Sequence, residues 1–296
     1  MNSRVVLAGN NLAATYALDL LLEACDRRDI LAIAPERDRV TAWHVSLEAA
    51  ARSAGVECMS PADVNTPEVI TRIQEHRPGL LLSVYYTQIF STAILGSVHG
   101  PLLNFHPSLL PRHRGTAPLI WAIVEGDLVT GVTVHHLDEG VDTGRVILQH
   151  PLPIHRDDTG YELHLKMAKL VRSTAAEIIR VWADGQQIPP GHQQIGEASY
   201  HSSRDPQLNH LEWRLDRKRI RDTVRALAPP LPGAFAYVDD QPLVIARVEA
   251  IDSAGLRPKP HGMIELIHGE APIVWAGDGP LRIDSFVDKG DIWPGS

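Results

Sequence analysis

Cysteine, long apolar runs and surplus positive charge are all scarce in this sequence. Two cysteines, Cys25 and Cys58, stand far apart with no CxxC. They are expected to be buried thiols in a reducing compartment, neither a disulfide nor a metal pair. No apolar run approaches the roughly 18 residues that a membrane helix needs, and the start, MNSRVVLAGNNLAA, lacks the layout of a secretory signal. A cytoplasmic protein without a membrane span is the expectation. Lys and Arg total 28 against 36 Asp and Glu, a net charge of −8 and a pI near 6.0. That balance suits poorly a protein that grips a long nucleic acid by its phosphates. The glycine fingerprint of a dinucleotide site is missing too: Gly9 is followed by Asn10 and Asn11, which reads as a tight strand-to-helix turn. There is no internal repeat and no low-complexity tract.

With 296 residues, 44% of them hydrophobic, the chain can bury one large core or two ordinary ones. Short apolar strands are expected at Arg4–Ala8, Ile30–Ala34, Val56–Cys58 and Leu80–Val84. Helices alternate with them: one to about Cys25, then Glu48–Ala54 and Pro67–Glu75, the last behind the N-cap Thr66. This alternation predicts an α/β domain with a Rossmann-like, mainly parallel sheet covered on both faces. Further on come a helix at Pro118–Glu125, strands at Gly131–Leu137 and Val146–Pro151, and a long amphipathic helix at Thr159–Trp182. The first domain is expected to span residues 1–185, followed by a linker over 186–206. A second domain, 207–296, opens with a helix at Arg217–Leu227. Closely spaced strands at Ala234–Val238, Leu243–Ala250, Gly262–Ile267, Ile273–Ala276 and Leu281–Phe286 predict a small, OB-like β-barrel.

The chemistry concentrates at LNFHPSLLPRHRG, Leu103 to Gly115. Asn104 and His106 are two residues apart, so on an extended strand end they share a side. Pro107 then ends regular pairing and Pro111 closes the short loop Ser108-Leu109-Leu110. About thirty residues later Asp142 sits in a turn-rich segment, HHLDEGVDTG. Amide, imidazole and carboxylate together suit acyl transfer to an amine. The amide can donate to a developing oxyanion, the imidazole can carry a proton, and the carboxylate can orient the imidazole. Spacing alone leaves blander readings open: a loop histidine bonded to backbone, and an aspartate doing ordinary turn work before Thr-Gly. A metal set drawn from His106, His135, His136 and Asp138 is not expected, because adjacent strand residues His135 and His136 face opposite sides. Upstream, the buried strand ends in Tyr85 and Tyr86, which either pack or border a ligand pocket beside Gln88–Phe90.

Three stretches taken together, Asn104–Pro111, Arg114–Pro118 and Asp138–Gly144, resemble the 10-formyltetrahydrofolate-dependent formyltransferase family. Pro230–Tyr237 is similar to the signature that opens that family's C-terminal barrel. Carried over position by position, the resemblance makes Asn104, His106 and Asp142 the catalytic residues. It assigns Gln88, Ile89 and Phe90, with Asp138, Glu139, Gly140 and Val141, to the pteridine pocket, mostly through backbone. Ser108, Leu109, Leu110 and Pro111 fall in the loop near folate and formyl group, and Tyr85, Tyr86, Arg114 and Thr116 on the substrate side. The implied cofactor is 10-formyltetrahydrofolate, with tetrahydrofolate as product. An amine attacks the formyl carbon, Asn104 and His106 stabilise the oxyanion, and His106, held by Asp142, assists proton transfer. Base and electrophile roles of His106 and Asp142 are not separable here. The chain departs from the family at Pro107, where glycine is common, at His113, where an aromatic is usual, and at the Gly9-Asn10-Asn11 turn.

The family's methionyl-tRNA members carry a basic loop after the second strand. Here Pro35–Ser46 offers only Arg37 and Arg39, offset by Glu36 and Asp38. A tRNA partner is therefore disfavoured and a small-molecule amine expected, in first place a nucleotide-linked amino sugar, then another biosynthetic amine such as hydroxyornithine. A hydrolase releasing formate from the same donor and a folate-binding protein without turnover are the different-class alternatives. The C-terminal barrel can position the acceptor, form a homodimer or simply pack. Its basic stretch Arg217, Lys218, Arg219 and Arg221 reads either as a solvated helix face or as an acceptor phosphate contact.

Overall fold

The computed structural model describes residues 3–36, 38, 41, 45–205, 208–238, 241–266 and 271–287. Arg37 and Arg39, on which the reading of the loop after the second strand rests, lie outside the described residues, as does Ile267 at the end of an expected strand. The chain forms two compact units. The first comprises Met1–Pro118, Thr130–Pro153 and Leu165–Tyr200; the second comprises Leu119–Val129, Ile154–His164 and His201–Ser296.

In the first unit apolar strands alternate with helices: β1 (Val5–Gly9), α1 (Asn11–Ala24), β2 (Ile30–Ile33), α2 (Leu47–Ala54), β3 (Glu57–Met59), α3 (Pro67–His76), β4 (Leu80–Val84), α4 (Thr92–Leu95) and β5 (Leu102–His106). All five residues of β1 and of β4 are buried, as strands covered on both faces require. Helix starts follow side-chain chemistry. The Ser46 hydroxyl accepts from Ala49 N at 3.0 Å, and Asp38 Oδ2 accepts from Ser46 Oγ and Glu48 N, so α2 begins at Leu47. Thr66 caps α3 in the same manner, with Pro67 in its first turn.

After β5 come β6 (Arg114–Gly115), α5 (Pro118–Val124), β7 (Val129–His136), β8 (Val146–Pro153), α6 (Gly160–Ala183) and β9 (Tyr200–His201). The strand order is β3-β2-β1-β4-β5-β7-β8. Strands β3 to β5 pair in parallel, and β7 lies antiparallel to β5. The register of that last pair matters most for the site: Asn104 lies opposite His135 and His106 opposite Thr133. The mainly parallel sheet expected from sequence is present, with its antiparallel partner beside the strand that carries Asn104 and His106.

The second unit contains α7 (Arg217–Leu227), β10 (Ala234–Val238), β11 (Gln241–Ala250), β12 (Ile264–Glu265), β13 (Ile273–Ala276) and β14 (Gly279–Val287). The five strands form an antiparallel sheet in the order β10-β11-β14-β13-β12, the small OB-like domain expected. Its core gathers Ile220, Val224 and Leu227 of α7 with Ala234, Ile245, Val248, Val274, Leu281 and Ile283 of the strands. Thr159 and Glu162 close a reciprocal capping box at the head of α6, with Glu162 N donating to Thr159 Oγ1 at 3.2 Å and Thr159 N to Glu162 Oε2 at 2.9 Å.

Phe105, between Asn104 and His106, is fully buried and anchors the end of β5. Phe105→Ala is expected to lower unfolding free energy by about 3–5 kcal/mol, the usual cost of removing a buried aromatic ring. The check is urea denaturation, in which the midpoint should fall with little change in slope.

Candidate active site

Extended backbone at the end of β5 sends Asn104 and His106 to the same face, and both are buried. His106 Nε2 lies 2.8 Å from the carbonyl oxygen of His113. A carbonyl can only accept, so Nε2 carries the proton and Nδ1 is bare in the neutral ring. Nδ1 faces Asp142 Oδ1 at 3.4 Å. Burial lowers the His106 pKa below the ordinary imidazole range, while the Asp142 carboxylate acts upward against it. The result is a neutral imidazole whose bare nitrogen is ready to take a proton beside a negative charge.

Asp142 is itself largely removed from water, its side chain 12% exposed. Burial acts to raise its carboxyl pKa. The positive charge that His106 carries once protonated and the Gly115 N–H outweigh burial and hold it at about 2. Gly115 N donates to Oδ2 at 2.9 Å and Asn104 Nδ2 to Oδ1 at 3.2 Å. The same Asn104 nitrogen is 3.0 Å from His135 Nε2. His135 Nδ1 lies 2.8 Å from the carbonyl oxygen of His136, so it bears the proton and Nε2 accepts from the amide. Both Asn104 N–H groups are thereby engaged, one by a carboxylate and one by an imidazole. Asp142 sits at φ +54°, in the left-handed region that an aspartate tolerates at roughly 1 kcal/mol. Gly144 follows because nothing larger fits: a Cβ there would come 1.7 Å from the His136 carbonyl oxygen that receives His135.

The proline-flanked loop after β5 is pinned by one hydroxyl. Thr133 Oγ1 donates to Ser108 O at 2.6 Å and accepts from Leu110 N at 3.1 Å. Gln149 Nε2 adds a bond to Leu110 O at 2.9 Å, and Ser108 Oγ donates to Arg112 O at 2.7 Å. Ser108, Leu110 and Pro111 are buried and Leu109 is half-buried. Around Gln88–Phe90 the polar side chains brace the loop itself. Gln88 Oε1 accepts from Val64 N at 2.7 Å, and Asn65 bridges Ile89 O and Ser91 N. Phe90 is buried, whereas Ile89 is 58% exposed. In the second loop Asp138 Oδ1 receives Gly140 N and Thr143 Oγ1, while Asp138, Glu139, Gly140 and Val141 are exposed. The Gln88 and Asp138 side chains are thus spent on bracing their own loops, where Ile89 and Val141 stand exposed beside the backbone.

Tyr85 takes φ +60° at the end of β4, an unusual backbone for a bulky residue, and burial pushes its phenol pKa up. Tyr86 stacks on Phe90 at 5.5 Å, and its buried hydroxyl has no hydrogen-bond partner among the described residues. Thr116 is exposed. The Arg114 guanidinium is engaged within the unit: Nη2 donates to Gln194 Oε1 at 2.6 Å, Nη1 donates to Tyr200 OH, and the group lies 5.2 Å over the Tyr200 ring. Cys25 and Cys58 are free thiols whose pKa burial pushes up to about 11. Among the described residues no helix is long and apolar enough to cross a membrane.

Four residues of the site escape sequence reasoning: Thr133, His135, Gln194 and Ser199. The first two had a signal, because Thr133 and His135 alternate with Val132 and Val134 on β7. What was missing was the pairing that sets them opposite His106 and Asn104. Gln194 and Ser199 fall in the stretch expected as a linker. Ser199 Oγ accepts from His113 N at 2.8 Å and Ser199 O from Arg114 N at 2.9 Å, steadying the carbonyl that receives His106.

The formyl transferase family model matches residues 23–179, and the formyl transferase C-terminal domain model matches residues 205–291. A methionyl-tRNA formyltransferase of Caldanaerobacter subterraneus subsp. tengcongensis is 31% identical over 293 residues, 97% of this chain and 93% of that protein. Two solved structures share the fold. One is an N-formyltransferase from Helicobacter canadensis in complex with folinic acid and dTDP-3-aminofucose, with TM-score 0.73 and 20% identity over 96% of this chain and 99% of that one. The other is WlaRD, a sugar 3N-formyl transferase in the presence of dTDP and 5-N-formyl-THF, with TM-score 0.72 and 22% identity over 97% and 98%.

Nitrogen-15 spectra of labelled histidines test the proton assignments directly. At neutral pH His106 is expected as the neutral tautomer protonated on Nε2 and His135 as the one protonated on Nδ1, with His106 titrating below the ordinary imidazole range because it is buried. Asp142→Asn should move the His106 titration lower still, because the carboxylate is the group that raises it. A His106 imidazolium at pH 7, or a neutral ring protonated on Nδ1, would contradict the geometry.

Proposed function

Since the chain belongs to the formyl transferase family and is a formyltransferase, we propose that its donor is 10-formyltetrahydrofolate and its acceptor the primary amine of a small molecule, in first place a nucleotide-linked amino sugar. The observation that carries transfer is the buried Asn104–His106–Asp142 cluster with a bare imidazole nitrogen between them. The folate, when bound, supplies an already activated formyl carbon, so the protein needs no nucleophile of its own. The backbone of Gln88–Phe90 and of Asp138–Val141, with exposed Ile89 and Val141, would hold the flat ring. Ser108–Pro111, pinned by Thr133, would flank the reacting end. Tyr85, Tyr86, Arg114 and Thr116 would border the acceptor side.

In this reading His106 Nδ1 takes the proton that the attacking amine loses as it bonds to the formyl carbon, and returns it to the departing tetrahydrofolate nitrogen as the bond from that nitrogen to the formyl carbon breaks. The imidazolium so formed is held at both ends, by the His113 carbonyl oxygen on Nε2 and by the Asp142 carboxylate on Nδ1. Asp142 stays ionised throughout and stabilises the charged ring, as the orienting carboxylate does in other acyl-transfer sites. Asn104 gives its two N–H groups to Asp142 and His135, so in this arrangement it orients those groups instead of donating to the oxyanion, the role that the family resemblance implies.

Electrostatics supports the small acceptor. The cations of the most basic stretch, α7, are mostly engaged by neighbouring carboxylates. Lys218 pairs with Asp222 at 2.8 Å, Arg225 with Asp222 at 2.7 Å, Arg221 with Asp157 at 2.5 Å, and Arg217 with Asp278 at 3.3 Å. Arg219 donates to the carbonyl of Val124. With a net charge of −8, long-range attraction for tRNA is weak. The nucleotide sugar and dTDP named with the two solved relatives agree with this reading, whereas the methionyl-tRNA relative makes charged tRNA the runner-up.

Tetrahydrofolate release from 10-formyltetrahydrofolate is to be followed with nucleotide 4-amino and 3-amino sugars, hydroxyornithine, simple amino acids and methionyl-tRNA. Turnover that depends on a nucleotide amino sugar is the expected result. Dependence on methionyl-tRNA alone would overturn the acceptor, and release with no amine would overturn transfer in favour of hydrolysis. His106→Ala should lower kcat by about 10²–10⁴, the range of a lost general base, while folate still binds. Near-normal turnover in the folded variant would remove His106 from the mechanism.

A further inference from the structure

We propose that Gln194 is a positioning residue that holds the Asp142 carboxylate in register with His106; the inference rests on the formyl-transfer reading above. Every polar atom of this amide is used. Nε2 donates to the carbonyl oxygens of Asp142 at 2.7 Å and Gly144 at 2.9 Å. Oε1 accepts from Arg114 Nε at 3.2 Å and Nη2 at 2.6 Å. The two ends of the amide therefore grip the two pieces of chain that define the carboxylate's place. One is the turn that carries Asp142. The other is the strand at Arg114-Gly115, whose Gly115 N–H receives Asp142 Oδ2 at 2.9 Å.

That turn needs an external hold. Asp142 lies at φ +54°, where an L residue is strained, and the carbonyls on either side of Thr143 are held from outside the turn by the Gln194 amide. Gly144 is also the point of closest approach to the His136 carbonyl oxygen, the acceptor for His135 Nδ1. Fixing the Gly144 carbonyl thus keeps His135 presenting Nε2 to Asn104. Arg114 is steadied in turn by the Tyr200 hydroxyl and ring. Gln194 touches neither reactant in this account and acts through the turn that carries Asp142.

Gln194→Glu separates the two halves of the contact. It keeps, and strengthens, the partner of Arg114, but it cannot donate, and it sets anionic oxygen against two carbonyl oxygens. Gln194→Met matches the length and removes both halves without adding charge. Steady-state kinetics of amine-dependent tetrahydrofolate release, across pH, gives the readout. In both variants kcat should fall about 10–100-fold, the effect of a small misplacement of a catalytic group, with KM for the donor changed less than about threefold. The acid limb of kcat should also move to lower pH, because the carboxylate that raises the His106 pKa has moved away. A purely bracing role would lower the melting temperature and leave the limb in place. The proposal is overturned if either folded variant keeps kcat within about twofold of wild type with an unmoved limb. Where the glutamate variant does not fold, the methionine variant decides. Asp142→Asn run in parallel separates the two claims: if it is inactive while Gln194→Glu is fully active, only the role of Gln194 fails. If Asp142→Asn is itself fully active, the catalytic reading fails.

Discussion

A carboxylate that stays ionised while mostly out of water imposes its requirements on every group around it. Asp142 must be offered hydrogen-bond donors or a cation in place of solvent. The Gly115 N–H and the Asn104 amide meet that need, and His106 stands ready to become the cation. Each answer has a further consequence. Because Asn104 turns Nδ2 toward Asp142, His135 must present a lone pair, and so carries its proton on the nitrogen that faces the His136 carbonyl. Because His106 donates from Nε2 to His113, its other nitrogen is the one left to take a proton. The Asp142 charge thereby fixes the orientation of one amide and, through it, the proton position on His135, while the His113 carbonyl fixes that on His106.

The backbone serves the same end. β5 delivers Asn104 and His106 on one face, and the antiparallel β7 puts His135 and Thr133 opposite them. Thr133 then pins the Ser108–Pro111 loop while His135 supports Asn104. Asp142 returns to this face only through a left-handed residue, a glycine with no room for a Cβ, and the bracing amide of Gln194.

Much of this was legible in the sequence, for identifiable reasons. Strands β1 and β2 are apolar runs, β4 is broken only by Ser83, and the cap at Thr66 is local chemistry, so the α/β order could be read residue by residue. Asn104, His106 and Asp142 stood out because their motif is specific. The partners of those residues did not, because the contacts are long-range. Nothing local says that His135 faces Asn104, since that depends on the antiparallel pairing of β5 with β7. Nothing local says that Gln194, in a polar stretch with Pro189, Pro190 and Gly191, reaches back over fifty residues of chain to the Asp142 turn. Arg114 illustrates the converse: a conspicuous cation in the motif has its guanidinium engaged by Gln194 and Tyr200.

The central claim is that Asp142 and His106 work as one proton-handling unit rather than as two separate contributors. A double-mutant cycle on kcat/KM with His106→Ala, Asp142→Asn and the combined variant measures it most directly. The account predicts strong non-additivity, with the double variant no worse than about threefold below the poorer single variant. Losses that multiply, each substitution exacting its full effect in the absence of the other, would contradict it.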